Sequence, residues 1–105
     1  MTSIEEPTVA GESAFALLAI IRQTKTRRTK NGMVHGHLRM RTEEMAPFIR
    51  ALERTDAELR IDEQLGLAPE HTGRTAKQRR ADALVVLLQQ VIEAIEKYNE
   101  AILQS

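Results

Sequence analysis

Seven lysine and arginine side chains between residues 22 and 41 are the groups of this chain whose type and spacing most directly indicate a chemical role. They are Arg22, Lys25, Arg27, Arg28, Lys30, Arg39 and Arg41, and no acidic residue interrupts them. Ammonium and guanidinium groups neutralise phosphates, and the threonines at 24, 26 and 29 add hydroxyl donors. The segment therefore predicts contact with DNA or another polyanion.

A second basic cluster stands where the last helix is expected to begin. It consists of Arg74, Lys77, Arg79 and Arg80. Cations at a helix N-terminus oppose the helix dipole, so these side chains do little for stability by themselves. They would suit an anion bound at the unpaired amides of residues 73–76, and we expect them to assist the first segment. Aromatic residues make up only 3% of the chain, which argues against single-strand or RNA recognition by base stacking.

Metal-binding and catalytic chemistry are not predicted. His35 and His37 have the spacing of two ligands on one face of a strand, but the arginines around them repel a divalent cation, and His71 is distant in sequence. The chain contains no cysteine. No glycine-rich phosphate loop, zinc-protease motif or nucleophile elbow occurs in the sequence. We therefore expect neither a catalytic residue, a metal nor a cofactor, and we expect that the protein is not an enzyme.

The composition predicts a single, mainly helical domain. The 105 residues have zero net charge, and 42% of them are hydrophobic, so a core of aliphatic side chains is expected. Scarce aromatics favour helices over a sandwich or barrel. The first residues do not resemble a secretory signal, and the longest apolar run, residues 14–21, is too short to span a membrane. These observations predict a cytoplasmic protein with no membrane contact.

Helix-capping residues divide the chain into three helices. Residues 1–12 are predicted to form a flexible tail and residues 13–105 a single helical domain. Ser13 is expected to cap a first helix, Thr42 a second that ends at Gly66, and Thr72 or Thr75 the last. The predicted fold is a small three-helix domain with a long C-terminal helix and, between the first two helices, either a helical extension or a short basic β-hairpin.

Residues 22–41 are compatible with both of those local structures. In one, the first helix continues to about Lys30 and Asn31-Gly32 ends it. In the other, Asn31-Gly32 is the two-residue turn of a solvent-facing hairpin. In that register the partners of Val34, Gly36 and Leu38 are Thr29, Arg27 and Lys25. Three threonines count against the long helix, and the missing apolar face counts against a buried hairpin.

The last helix carries the most regular apolar pattern in the sequence. Its seam consists of Ala81, Leu84, Leu88, Val91, Ile95, Tyr98 and Ile102. Further apolar residues on both flanks make this face wider than a two-stranded coiled coil needs. Part of the face is expected to pack inside the domain, and the surplus against a second copy, with a dimer favoured. A closed monomeric bundle is the alternative.

Two classes of function follow from these features. The first is a small nucleic-acid-binding accessory or regulatory protein that uses its basic segment on an oligomeric helical scaffold. The second is a protein-interaction module, an adaptor or inhibitor, that docks its basic face on an acidic protein surface. A small protein of a mobile element would fit either class.

Overall fold

A computed structural model describes residues 5–32, 34–66 and 75–104 of the chain. Its elements in chain order are β1 (Thr8–Val9), β2 (Glu12–Ser13), α1 (Ala14–Ile21), β3 (Lys25–Arg28), β4 (Val34–His37), α2 (Thr42–Gln64) and α3 (Ala76–Gln104). The mainly helical class, the three helices and the long C-terminal helix are confirmed. None of the helices in the described residues is long and apolar enough to cross a membrane.

Helix α1 is short because the apolar run ends at Ile21 and polar and basic residues follow it. The Ser13 hydroxyl caps it by accepting the Ala16 amide at 3.3 Å, as the sequence predicted. Ala14, Leu17 and Ile20 are buried, and the threonine-rich segment that follows leaves the helix. The chain then enters β3, so the hairpin alternative is the one that forms.

The segment predicted as a flexible tail contributes to the packed domain from Thr8 onward. Strands β1 and β2 pair around Ala10 and Gly11, whose φ angles are 50° and 81°, and Val9 is buried in the core. Glu12 accepts a hydrogen bond from Arg50 of α2 at 3.0 Å. The packed region thus starts several residues before the predicted boundary, because one buried valine and one ion pair hold the turn. Residues 1–4 lie outside the described part.

The ends of the two long helices agree with the predicted capping residues except at the start of α2. Thr75 and Gln78 form a reciprocal capping box at the start of α3, with hydrogen bonds of 2.9 and 3.1 Å. Gly66, at φ 72°, follows the end of α2 as predicted. Thr42, however, is already helical, and Arg41 holds the N-cap position without a side-chain hydrogen bond. Glu43 and Glu44 in the first turn favour this end electrostatically.

The core lies where α3 crosses α1 and α2. Leu17 of α1, Ala51 of α2, and Leu87 and Val91 of α3 are all fully buried in one cluster. The small Ala51 side chain permits close approach of the helices. Thr55, one turn further along α2, is also buried, and its hydroxyl donates to the Ala51 carbonyl at 2.9 Å. The buried hydroxyl is therefore satisfied within its own helix.

The face of α3 that packs inward is rotated from the predicted seam. The buried line is Ala83, Leu87 and Val91, whereas Leu84 is 38% exposed. Tyr98 is half-buried, and its ring meets that of Phe15 edge-on at 5.2 Å. The seam residues are thus divided between the core and the surface, because the apolar arc of α3 is wider than one helix contact.

We expect Leu87→Ala to lower the free energy of unfolding by about 2–5 kcal/mol, because truncation leaves a cavity among fully buried neighbours. Leu84 lies three residues earlier on the same helix and is partly exposed, so Leu84→Ala should lower the free energy of unfolding by roughly 1 kcal/mol or less. Urea unfolding of both variants in dilute solution, followed by circular dichroism, measures the difference. A loss for Leu84→Ala as large as that for Leu87→Ala would contradict the inward rotation of Leu87, and a larger one would place the core along the predicted seam.

Candidate nucleic-acid interface

Strands β3 and β4 form an antiparallel hairpin in a register shifted by one residue from the predicted one. Thr26 lies opposite Gly36 and Arg28 opposite Val34. Five residues separate the last paired residue of β3 from the first of β4, whereas the predicted turn has two. Among them the Gly32 amide donates to the Thr29 carbonyl at 3.3 Å, and Gly32 adopts a φ of 80°. Glycine suits this left-handed position because a β-carbon there is strained.

In the observed register, the two faces of the hairpin carry different kinds of side chain. Lys25 and Arg27 share one face, with His37 directly opposite Lys25. The other face carries Thr26, and a β-carbon built on Gly36 would lie 3.5 Å from a methyl group of Thr24. One face is therefore basic, and the other presents threonine methyls around a glycine. Arg28 is the cation on the second face.

The hairpin stands away from the helical body. All four residues of β3 are exposed, and the two strands contact each other far more than they contact any helix. A two-stranded ribbon packed on a core would bury one of its faces. The exposed strand consists of Lys25, Thr26, Arg27 and Arg28, so three of its four side chains are cations in water.

The cations of the hairpin segment have no acidic partner among the described residues. All seven are exposed: Arg22, Lys25, Arg27, Arg28, Lys30, Arg39 and Arg41. Each described ion pair instead involves an arginine of α2 or α3: Arg50, Arg54, Arg60 or Arg79. The helical body thus neutralises part of its own charge, whereas the hairpin segment keeps its positive charge available to a partner.

The second basic cluster is divided by the structure. Arg79 donates from Nε and Nη2 to one oxygen of Glu63 at 3.1 and 2.9 Å, and the two side chains are only 14% and 11% exposed. Arg79 therefore joins the start of α3 to the end of α2. Lys77 and Arg80 are exposed, and Arg74 lies outside the described residues.

An apolar groove lies between the hairpin and the helices, and sequence reasoning missed it. Its volume is about 590 Å³. Its apolar walls are Ile21, Leu38, Met45, Phe48, Leu84 and Leu88, with Thr24 and Thr26 at the hairpin side. The corrected register explains its origin, because Leu38 falls on the strand face that carries Thr24 and Thr26.

The backbone pairing places both histidine positions of β4 opposite basic positions of β3. The backbone partner of His37 is Lys25, and that of His35 is Arg27. In the described ranges, no three His, Asp or Glu residues converge as a metal site would require. His71 is outside those ranges.

Comparison with known proteins adds no relative. No protein-family model matches the chain, and neither the curated proteins nor the solved structures contain a significant match.

Because Glu63 and Arg79 shield each other from water, Arg79→Ala should lower the free energy of unfolding by about 1–3 kcal/mol. Arg80→Ala is the matched control, since this exposed neighbour should change stability by no more than about 0.5 kcal/mol. A double-mutant cycle with Glu63→Ala isolates the coupling between the two side chains. A coupling energy of zero would contradict a structural role for Arg79.

Proposed function

We propose that this protein binds double-stranded nucleic acid through the β3–β4 hairpin and acts as a non-catalytic accessory or regulatory protein. The observation that carries the proposal is β3 itself. All four of its residues are exposed, three are basic, and none of the three is paired with a described acidic residue. Exposed cations that neutralise the phosphates of a duplex release the counterions condensed on that duplex, and this release favours binding.

The dimensions of the hairpin suit a duplex groove. The major groove of B-DNA is about 12 Å wide and admits a two-stranded ribbon. The Lys25 and Arg27 face would point toward the base edges or one phosphate backbone. Arg28, on the opposite face, would reach the other backbone. In this arrangement guanidinium groups read guanine or bind phosphate, and threonine hydroxyls add hydrogen bonds to phosphate oxygens.

Further cations extend the proposed contact at both ends of the hairpin. Lys30 lies in the loop, Arg22 precedes β3, and Arg39 and Arg41 follow β4. Each is exposed, so each can approach a phosphate without breaking an internal contact. Lys77 and Arg80 at the start of α3 would add contacts, because Lys77 lies two helical turns before the groove residue Leu84 on the same helix face.

The positions of the aromatic residues favour a duplex over a single strand. Single-strand binding needs rings on which bases can stack. Phe15 and Tyr98 are in contact with each other, and Phe48 lines the apolar groove. The basic face thus offers charge and hydrogen-bond donors without a stacking surface.

The protein-interaction module is the second candidate, and the apolar groove favours it. An amphipathic helix with acidic flanks could place its apolar side against Phe48 and Leu88 while its acids meet the hairpin cations. Such a partner would use the same arginines as a duplex. The binding experiment below separates the two candidates.

Arg27→Gln/Arg28→Gln should weaken duplex binding and reduce its salt dependence, because two phosphate-binding charges are removed. For a duplex of about 20 base pairs, the slope of log K against log[salt] is negative, and we expect its magnitude to decrease by about 1.8, near 0.9 for each lost contact. Fluorescence anisotropy at several salt concentrations measures this slope. The charge-reversing pair Arg27→Glu/Arg28→Glu should abolish binding.

Arg60→Gln/Lys97→Gln is the matched control, since it removes the same charge from exposed positions of α2 and α3. Its salt slope should equal that of the unmodified protein. If the unmodified protein fails to bind duplex even at low salt, the nucleic-acid proposal is wrong. Selective capture of an acidic helical peptide, lost in the Arg27/Arg28 variants, would then support the interaction module.

A further inference from the structure

We infer that the outer face of α3 pairs antiparallel with α3 of a second copy of this chain. The inner face is fully used, since Leu87 and Val91 are buried in the domain core. The outer face remains apolar in water: Val85 is 53% exposed, Ile92 54% and Leu103 85%. An exposed apolar stripe of this length on one helix is a typical protein-interaction surface.

The order of the residues along the outer face indicates what covers it. Its positions are Leu84, Val85, Leu88, Ile92, Ile95, Asn99, Ile102 and Leu103. Asn99 is the one polar member, and the half-buried Ile95 also packs against the core cluster. The intervals between them are 1, 3, 4, 3, 4, 3 and 1, which read the same from either end. A helix with such a pattern presents the same surface to a copy of itself turned end over end.

A two-fold axis between Glu93 and Ala94 brings the two patterns into register. Leu84 then lies opposite the partner's Leu103, and Val85 opposite the partner's Ile102. The contact is about 29 Å long, from 19 steps of 1.5 Å along the helix. This is an isologous interface, in which each copy contributes the same surface.

Charge selects the antiparallel arrangement. All residues of α3 are described, and its first turn holds no acidic side chain and its last turn no basic one. Neither end of the helix dipole is therefore compensated by α3's own terminal side chains. In this register Arg80 and Lys77 lie opposite the positions just past the partner's Gln104, so their positive charges face the electronegative end of the partner helix. A parallel pair would place like charges together.

The pairing also completes the apolar groove. Leu84 and Leu88 belong both to the outer face and to the wall of the groove. Because Leu103 of the partner copy lies opposite Leu84, the C-terminal end of the partner helix reaches the groove beneath the hairpin. The groove is thus covered by a second copy, and each dimer carries two basic hairpins. This inference does not depend on nucleic-acid binding.

Light scattering coupled to size exclusion tests the assembly on the full chain. We expect a mass of twice 11.9 kDa. Ile92→Asp should raise the dimer dissociation constant on the order of 100-fold or more, because the pairing would bury an unpaired charge. Gln90→Asp, an exposed position on another face of α3, is the control and should remain dimeric. Val85→Asp gives a second, independent test of the face.

Circular dichroism should show an unchanged helical fold for these variants, since the replaced side chains are largely exposed. A concentration-independent monomer of the unmodified chain, or a dimer that survives both Asp substitutions, would overturn the inference. A larger assembly would overturn the two-fold pairing.

Single cysteines test the direction, because the chain contains none of its own. A mixture of Val85→Cys and Ile102→Cys proteins should form mixed disulfides on oxidation, as these positions lie opposite each other in the antiparallel pair. Each variant alone should cross-link poorly. Efficient cross-linking of each variant alone, without the mixed product, would indicate a parallel pair and contradict the inference.

Discussion

The packing of the Ala83, Leu87 and Val91 line of α3 into α1 and α2 is the contact on which the rest of the structure depends. Small side chains at the crossing, Ala51 and Ala83, are fully buried and let the helices approach closely. The Arg79–Glu63 pair fixes the end of the same crossing. Once this line faces inward, the rotation of α3 is set. The position of every other apolar residue on α3 follows from that rotation.

The sequence predicted the elements better than it predicted their rotation and register. The alternating 3,4 spacing of its apolar residues predicted α3, but an apolar arc so wide does not distinguish Leu84 from Leu87 as the buried position. Asn31-Gly32 suggested a tight turn, and only the three-dimensional pairing shows five residues between the paired strands. A one-residue shift moves every side chain to the other face, so the groove could not be foreseen.

Two other features, the β1–β2 turn and the Glu63–Arg79 pair, could not be predicted from the sequence, each for its own physical reason. The β1–β2 turn places Ala10 at a positive φ, which alanine seldom adopts, so no local pattern announces it. The Glu63–Arg79 pair joins residues 16 apart across a connecting segment, and sequence spacing carries no information about such a contact. The basic segment, in contrast, was visible from composition alone. Its duplex partner remains a proposal that rests on exposure and charge.

The neutral total charge of the chain conceals a polarised molecule. Exposed acids such as Glu43, Glu53 and Glu58 lie along α2, whereas the hairpin carries only cations and neutral side chains. A polyanion is repelled by α2 and attracted by the hairpin, so the acidic helix helps to set the orientation of approach. At long range the attraction is weak, because the net charge is zero and salt screens the remaining field of the separated charges beyond about one Debye length.

The weak attachment of the β3–β4 hairpin to the helices has a consequence for how this protein can change over generations. A side chain in β3 contacts little of the core, so most replacements there should alter stability by only tenths of a kcal/mol. Under the proposed function, mutations in the hairpin are selected for their effect on binding and hardly for their effect on folding. The proposed binding surface at Lys25–Arg28 can then change by drift while the scaffold stays unchanged.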